Sequence, residues 1–385
     1  MRPLKAIKIM TVFGTRPEAT KMAPVIKTLM KYESIRPVVC VTAQHRNMLD
    51  QVLDVFGIKP DHDLNIMRGG QGLSDILARA VKGLEEVMIK ERPDLVLVHG
   101  DTSTTFAGAV AAFYQQIKVG HVEAGLRTYD KYQPFPEEMN RQLTTRIADL
   151  HFAPTALSRE NLLKENIPAE KIFVTGNTAI DCLSVTISDD YKFNLPLLNA
   201  IDYKNKRVIA MTAHRRENLG RPLEDILTAA RDIIDAFPDT ELVYAAHLNP
   251  AVQEPARRIL SDHPRVHLTD PIDMDDMHNL MARSYLILTD SGGIQEEAPS
   301  LDKPVVVLRN VTERPEGLAA GTLKLAGNEY ESVRRITSEL LNDRAEYEKL
   351  ANAKNPFGDG NAAERIVKAI LYSFGSEEER PIDYI

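Results

Sequence analysis

The chain is poor in the features that mark several large protein classes. Only two of its 385 residues are cysteine, Cys40 and Cys182. Both sit in apolar runs far apart in sequence, which fits buried thiols in a reducing cytoplasm better than a disulfide or a metal site. No stretch reaches the roughly 20 apolar residues needed to span a bilayer. The start, Met1-Arg-Pro-Leu-Lys5, lacks the apolar core of a signal peptide. A soluble, cytoplasmic protein without a membrane partner is expected. Positive charge is also short: the net charge is -8 and the pI about 5.8. A nucleic-acid surface is therefore not expected, and any phosphate must be held by locally placed cations. Gly-x-Gly-x-x-Gly is missing from the first strand end, as is Gly-x-x-x-x-Gly-Lys-Ser/Thr, so a bound redox cofactor and an ATPase are disfavoured and no cofactor is expected. No internal repeat or low-complexity tract stands out.

What is present suits two ordinary domains, each with its own core, at 43% hydrophobic and 26% charged residues. Apolar runs of strand length alternate with longer helical patterns. Ile7–Phe13, Val38–Thr42, Leu95–His99, Val119–Glu123 and Leu150–Ala153 read as strands, and Pro24–Tyr32, Leu73–Lys90 and Thr104–Tyr114 as helices. A second series follows the polar stretch Ser188–Lys206, with strands at Arg207–Thr212, Glu241–Ala246, Val266–Leu268, Leu286–Thr289 and Pro304–Leu308. The pattern predicts an α/β protein of two Rossmann-like, doubly wound domains, residues 1–178 and 179–361, with an interdomain cleft. The C-terminal helix, within residues 362–385, is expected to pack on the first domain. Ligands in such folds sit beyond the carboxyl ends of the strands.

The most informative segment is Leu286-Ile-Leu-Thr-Asp290 running into Ser291-Gly-Gly-Ile-Gln-Glu-Glu297. Ser291, Gly292 and Gly293 are expected to leave backbone N–H groups bare at a helix start, where a diphosphate is favoured, with Glu296 and Glu297 close enough to accept hydrogen bonds from ribose hydroxyls. The plain alternative is a capped helix after a Gly-rich turn. At the first strand end, Gly14-Thr-Arg-Pro-Glu18 precedes Lys21. Pro17 suits a helix start, Glu18 is the natural partner of its dipole, and Arg16 and Lys21 are the unexpected cations that could neutralise a diphosphate.

Three acids gather at neighbouring strand ends of the first half. Asp101 follows His99-Gly100, Glu123 lies in His121-Val-Glu-Ala-Gly-Leu-Arg127, and Glu137 opens the helix after Pro134-Phe-Pro136. Asp101 could merely cap the helix near Thr104, and Glu137 could merely pair with Arg141. Glu123, between apolar neighbours, is costly unless paired or catalytic. Clustered together, the three suit acid/base chemistry on a sugar. From the second half come His214-Arg-Arg-Glu217 and Thr312-Glu-Arg314-Pro-Glu316. His214 could stabilise a phosphate as leaving group, and Arg314 could pair with the nucleotide or with Glu297.

Taken in order, these motifs, with Thr175-Gly-Asn177 between them, closely resemble the non-hydrolysing UDP-N-acetylglucosamine 2-epimerases from about residue 9 to residue 327. The resemblance implies the glycosyltransferase-B fold, a homodimer, and interconversion of UDP-N-acetylglucosamine and UDP-N-acetylmannosamine for surface polysaccharides. By motif it implies a UDP-binding set of Arg16, Lys21, His214, Ser291, Gly292, Gly293, Glu297 and Arg314 in which the second domain binds UDP, and a catalytic set of Asp101, Glu123, Glu137 and His214. It further implies elimination of UDP to 2-acetamidoglucal and re-addition with inversion at C2. In bacterial members a second substrate molecule acts as activator, and Gln44, His45, Gln71 and His247 match parts of that site; Asn47 stands where many bacterial relatives place Gln. A retaining glycosyltransferase on the same fold is the rival from another class, and a hydrolysing epimerase the nearer one.

Overall fold

The computed structural model describes residues 6–43 and 46–385. The chain forms two compact units, Met1–Cys182 with Gly358–Ile385, and Leu183–Phe357. In the first unit the strands are β1 (Ile7–Phe13), β2 (Ile35–Val41), β3 (His62–Asp63), β4 (Leu95–His99), β5 (Lys118–Val122), β6 (Leu150–Ala153) and β7 (Ile172–Val174). They make one sheet in the order β3-β2-β1-β4-β5-β6-β7, parallel throughout. The second unit contributes β8 (Arg207–Thr212), β9 (Thr240–Ala245), β10 (Val266–Thr269), β11 (Leu286–Thr289), β12 (Val305–Val307) and β13 (Leu323–Leu325). Their order is β10-β9-β8-β11-β12-β13, again all parallel. Both sheets reverse strand order next to their first strand, at β1/β4 and β8/β11, which is where doubly wound folds open a crevice for ligands.

Continuous apolar strands are what a sheet covered on both faces demands. Met10, Val12, Val96 and Val98 are fully buried, in one cluster with Leu84 and Met88 of the Leu73–Glu91 helix and Ala107 and Ala111 of the Ser103–Tyr114 helix. Each buried Val, Leu or Met contributes roughly 1.5–3 kcal/mol. In the second unit the Arg221–Ala236 helix lays Leu223, Leu227, Ala230 and Ile234 against Ile209, Met211, Leu242 and Leu288. The C-terminal helix, Ala362–Ser373, belongs to the first unit, where buried Asp181 accepts hydrogen bonds from its Ala362 and Ala363 N–H groups at 3.1 and 2.7 Å.

Three sequence expectations shift. The first helix runs Arg16–Leu29: it starts at Pro17's turn as expected, with Thr15 and Glu18 forming a capping box, but continues through Pro24, so the helix expected over Pro24–Tyr32 is its second half rather than a helix of its own. The edge strands β3, β7 and β13 were not foreseen, since two or three residues give no periodicity to read. Strand β5 stops at Val122, and Glu123 stands in a turn with φ of +63°.

That turn continues into Gly125, whose φ is +94° and where an added methyl would lie 2.2 Å from the Ser158 carbonyl oxygen. Only glycine fits both the backbone region and the space. Gly125→Ala should cost about 2–4 kcal/mol of stability, measurable as a lowered urea midpoint; an unchanged midpoint would mean that the turn relaxes freely.

Candidate functional site

In the first unit, the loops after β1, β4 and β5 bring the acidic residues together. Glu123 is mostly buried and pairs with Lys21 through Oε1, which also receives a hydrogen bond from Asn177 Nδ2 at 3.4 Å. Its other oxygen faces His99 Nε2 at 3.6 Å. Holding a non-glycine residue at positive φ costs on the order of 1 kcal/mol or more, and such strain collects where a side chain must point somewhere specific. Asp101 lies 3.4 Å from Arg141 Nη1, while its backbone carbonyl accepts from Asn140 Nδ2 at 2.9 Å. Burial pushes the Asp101 carboxyl up to about 6; Arg141 opposes this, and the negative charges of Glu123 and Glu137 reinforce it. Glu137 is the first residue of the Glu137–Ile147 helix and is half-buried.

Around this cluster the histidines are neutral. His99 is pushed down to about 4 and His121 to about 3, in both cases chiefly by burial. His121 Nε2 bonds the Gly100 carbonyl at 2.7 Å, fixing the turn that carries Asp101.

In the second unit, Asp290 is fully buried at the end of β11 and organises the loop after β8. Its Oδ2 accepts from His214 N and Arg215 N, both at 2.7 Å, and from Asn218 Nδ2 at 3.0 Å. The His214 ring stacks on His247 with centroids 5.5 Å apart. Burial pushes the His214 pKa down, Asp290 raises it, and His247 and Arg215 lower it further. The Gly292–Glu297 helix starts just beyond. A methyl placed on Gly292 would lie 3.5 Å from Arg314 Nη2 and 4.0 Å from Arg215 Nη2, so two guanidinium groups face this turn. A glycine turn flanked by two forks of N–H donors is suited to a phosphate. Among the described residues no cluster of three or more His, Cys, Asp or Glu side chains is arranged to hold a metal ion, and no helix is long and apolar enough to cross a membrane.

The sequence matches the family described as UDP-N-acetylglucosamine 2-epimerase over residues 27–371. The chain belongs to the UDP-N-acetylglucosamine 2-epimerases. It is similar to the UDP-N-acetylglucosamine 2-epimerase of Bacillus subtilis strain 168, with 57% identity over 378 residues covering 98% of each chain. The Escherichia coli K12 enzyme is 51% identical over 369 residues, covering 94% of this chain and 98% of its own. A Neisseria meningitidis UDP-GlcNAc 2-epimerase crystallised bound to UDP-GlcNAc superposes with a TM-score of 0.84 at 49% identity, covering 95% of this chain and 100% of that one. The family is one of isomerases, and its two Rossmann-like units are of the glycosyltransferase-B type.

The structure places the residues singled out in the sequence as follows, and sets aside some of the plain alternatives. Asp101 is not the helix cap, because Thr102 takes that role, accepting from Thr105 N at 3.1 Å. Glu137 is not what Arg141 grips; Arg141 Nε donates to Glu138 at 2.8 Å, and Glu138 is buried beneath the Thr128–Tyr129 amides. The Ser291 N–H is not bare, since the turn folds it onto Thr289 Oγ1 at 3.0 Å. Arg314 Nε pairs with the buried Glu296 rather than waiting for Glu297. Lys21 lies on Glu123, and Arg16 is the half-buried first residue of its helix. Gln71 ties its own loop, accepting from Arg68 N at 2.6 Å and donating to Ile66 O at 3.0 Å. Gln44 and His45 lie outside the described residues.

Sequence reasoning missed Arg215, Glu138, His99 and the core role of Glu18. The Thr15–Glu18 capping spacing was the one signal available for Glu18; nothing local marks the others.

The Asp101 carboxyl carries a pH signature. Its folded value, about 6, lies above the ordinary 3.8, so between pH 4 and 6 the unfolded chain releases a proton that the folded chain keeps. Stability therefore falls with rising pH in that window. Asp101→Asn removes this contribution. The variant should gain up to about 3 kcal/mol relative to the parent between pH 4 and 6, read from urea unfolding at the two pH values; equal slopes would contradict the burial argument.

Proposed function

We propose that the chain interconverts UDP-N-acetylglucosamine and UDP-N-acetylmannosamine by eliminating UDP and adding it back. The reading rests on one observation above all: Asp101 lies within electrostatic reach of both Glu123 and Glu137, with Glu123 paired to Lys21 and the Asp101 carboxyl pushed up to about 6 by burial. Carboxyl groups with unlike surroundings in one cluster suit a reaction needing both an acid and a base.

The C2–H of the sugar is not acidic. Its removal becomes feasible when the C1–O bond breaks at the same time, since the developing oxocarbenium character at C1 draws the C2–H electrons into a C1=C2 bond. A carboxylate takes the proton, the UDP β-phosphate oxygen takes the C1–O pair, and 2-acetamidoglucal remains. Protonation at C2 from the opposite face, with UDP returning to C1, completes the inversion. Every atom is conserved and no redox partner enters. We assign Glu123 as the base and Asp101 as the acid in one direction, with roles exchanged in the other; burial, with the charges of Glu123 and Glu137 behind it, is what raises the Asp101 pKa.

The second unit would stabilise the leaving group. The Gly292–Gly293 turn, Arg215, Arg314 and neutral His214 supply N–H donors and positive charge for the diphosphate, and Glu297 would accept from the ribose hydroxyls. The likeness to a relative crystallised with UDP-GlcNAc supports the substrate assignment. As the resemblance implies, the product would serve as a surface-polysaccharide precursor and the chain would act as a homodimer; Gln71 and His247 remain candidates for binding an activating second substrate molecule.

Turnover in D₂O tests the chemistry: deuterium should enter C2 of recovered substrate and product alike. Turnover without C2 deuterium would defeat the elimination reading, and free N-acetylmannosamine matching substrate loss would indicate a hydrolysing enzyme. Glu123→Gln should lower kcat/KM by at least about 100-fold, the common contribution of an acid/base group, while UDP affinity is kept. A variant that turns over at the parent rate would remove Glu123 from the chemistry.

A further inference from the structure

One buried histidine of the second unit stands outside everything assigned so far. His278 lies in the Met274–Arg283 helix and is almost wholly enclosed. Each ring nitrogen faces one residue. Nδ1 is 2.7 Å from Thr186 Oγ1, and Nε2 is 3.6 Å from Glu297 Oε2. The backbone beside the ring is equally fixed: Asn279 Nδ2 donates to the Thr186 carbonyl at 2.7 Å and to the Asp275 carbonyl at 2.8 Å, while its Oδ1 accepts from Ser188 N at 3.1 Å. The ring therefore has little freedom to turn away from Glu297.

The two oxygens of Glu297 are divided between two neighbours. Oε2 faces His278, whereas Oε1 lies 3.9 Å from the position a methyl on Gly293 would occupy, and so beside the glycine turn. A free glutamate at the end of a short helix rotates about three torsions, and a hydrogen bond to a ligand must overcome that freedom. A donor fixed behind one oxygen reduces the cost. When the Thr186 hydroxyl donates to Nδ1, the neutral ring carries its proton on Nε2 and presents it to Glu297. Contacts of this kind are often long in the unliganded protein and shorten in the complex.

We propose that His278 is a positioning residue for ribose recognition: Thr186 sets its tautomer, its Nε2–H holds Glu297 Oε2, and Oε1 is thereby aimed at the ribose hydroxyls. This rests on the reading of Glu297 as the ribose-binding carboxylate. His278 does not touch the nucleotide; it acts through Glu297, and it determines how strongly the protein distinguishes a ribonucleotide from its deoxy form.

Dissociation constants for UDP and for 2′,3′-dideoxy-UDP, measured by calorimetry on the full chain, test this. Glu297→Gln is measured first and should shrink the preference for UDP; an unchanged preference would overturn the ribose reading itself and this inference with it. Given that loss, His278→Phe, similar in shape but without a donor, should weaken UDP about tenfold, the loss of one charge-assisted hydrogen bond, and leave dideoxy-UDP unchanged. His278→Gln, whose amide nitrogen reaches close to the Nε2 position, should restore most of the preference. An unaltered ratio of the two constants in His278→Phe would overturn the assignment. So would an equal weakening of both ligands, which a purely structural histidine would produce, or a failure of His278→Gln to recover any preference.

Discussion

Each unit depends on one buried carboxylate that stitches together two loops at the point where its sheet's strand order reverses. In the first unit Glu18 accepts from Gly14 N at 3.0 Å and Thr15 N at 2.8 Å, after β1, and from Thr102 Oγ1 at 2.7 Å, after β4. In the second, Asp290 after β11 accepts from the His214 and Arg215 amides after β8. The pairs β1/β4 and β8/β11 are neighbours in equivalent positions of the two sheets. Burying a carboxylate is unfavourable, and desolvation does push the Glu18 pKa up, against the hydrogen bonds that pull it down. The arrangement persists because several donors converge on each group. Removing either would leave those donors unpaired, at about 1–3 kcal/mol apiece. Parallel sheets place every strand's carboxyl end on one edge, so loops there need such fastening if they are to hold side chains in register.

On those fastened loops, the charges are arranged in opposition. Asp101 and Glu123 both lie beside cations, yet their surroundings differ: Glu123 has Lys21 directly upon it, whereas Asp101 meets Arg141 at 3.4 Å and is pushed up by burial. The neighbouring histidines His99 and His121 are kept neutral by burial, so they fill the space without adding charge, and His121 also bonds the Gly100 carbonyl. In the second unit the balance is reversed, with Arg215 and Arg314 at the Gly292 turn and the acids Asp290 and Glu296 buried behind them. A net charge of -8 thus coexists with two guanidinium groups facing one glycine turn.

Much of this was legible before any coordinates. Alternating apolar strands and helical patterns implied parallel sheets, since only a sheet covered on both faces needs strands as apolar as Leu95–His99 and Val305–Val307. The motif order identified the family, and the placing of acids in the first half and of the glycine turn in the second followed from their positions after strands. What local pattern could not supply were edge strands too short for periodicity, and the continuation of the first helix through Pro24.

The sequence by itself determined which residues reach the strand ends, because a strand's end is encoded by the apolar run before it. Tertiary structure alone decided which of them meet. Lys21 and Glu123 are separated by 102 positions, Arg314 and Glu296 by 18, and Thr186 and His278 by 92. Whether an acid is a cap, a base or a buried anchor depends on desolvation and on partners brought in from distant loops. Those quantities exist only after the sheet has closed, when Arg141 turns to Glu138 and Asp101, Thr102 takes the cap, and Glu123 is held at positive φ against its lysine.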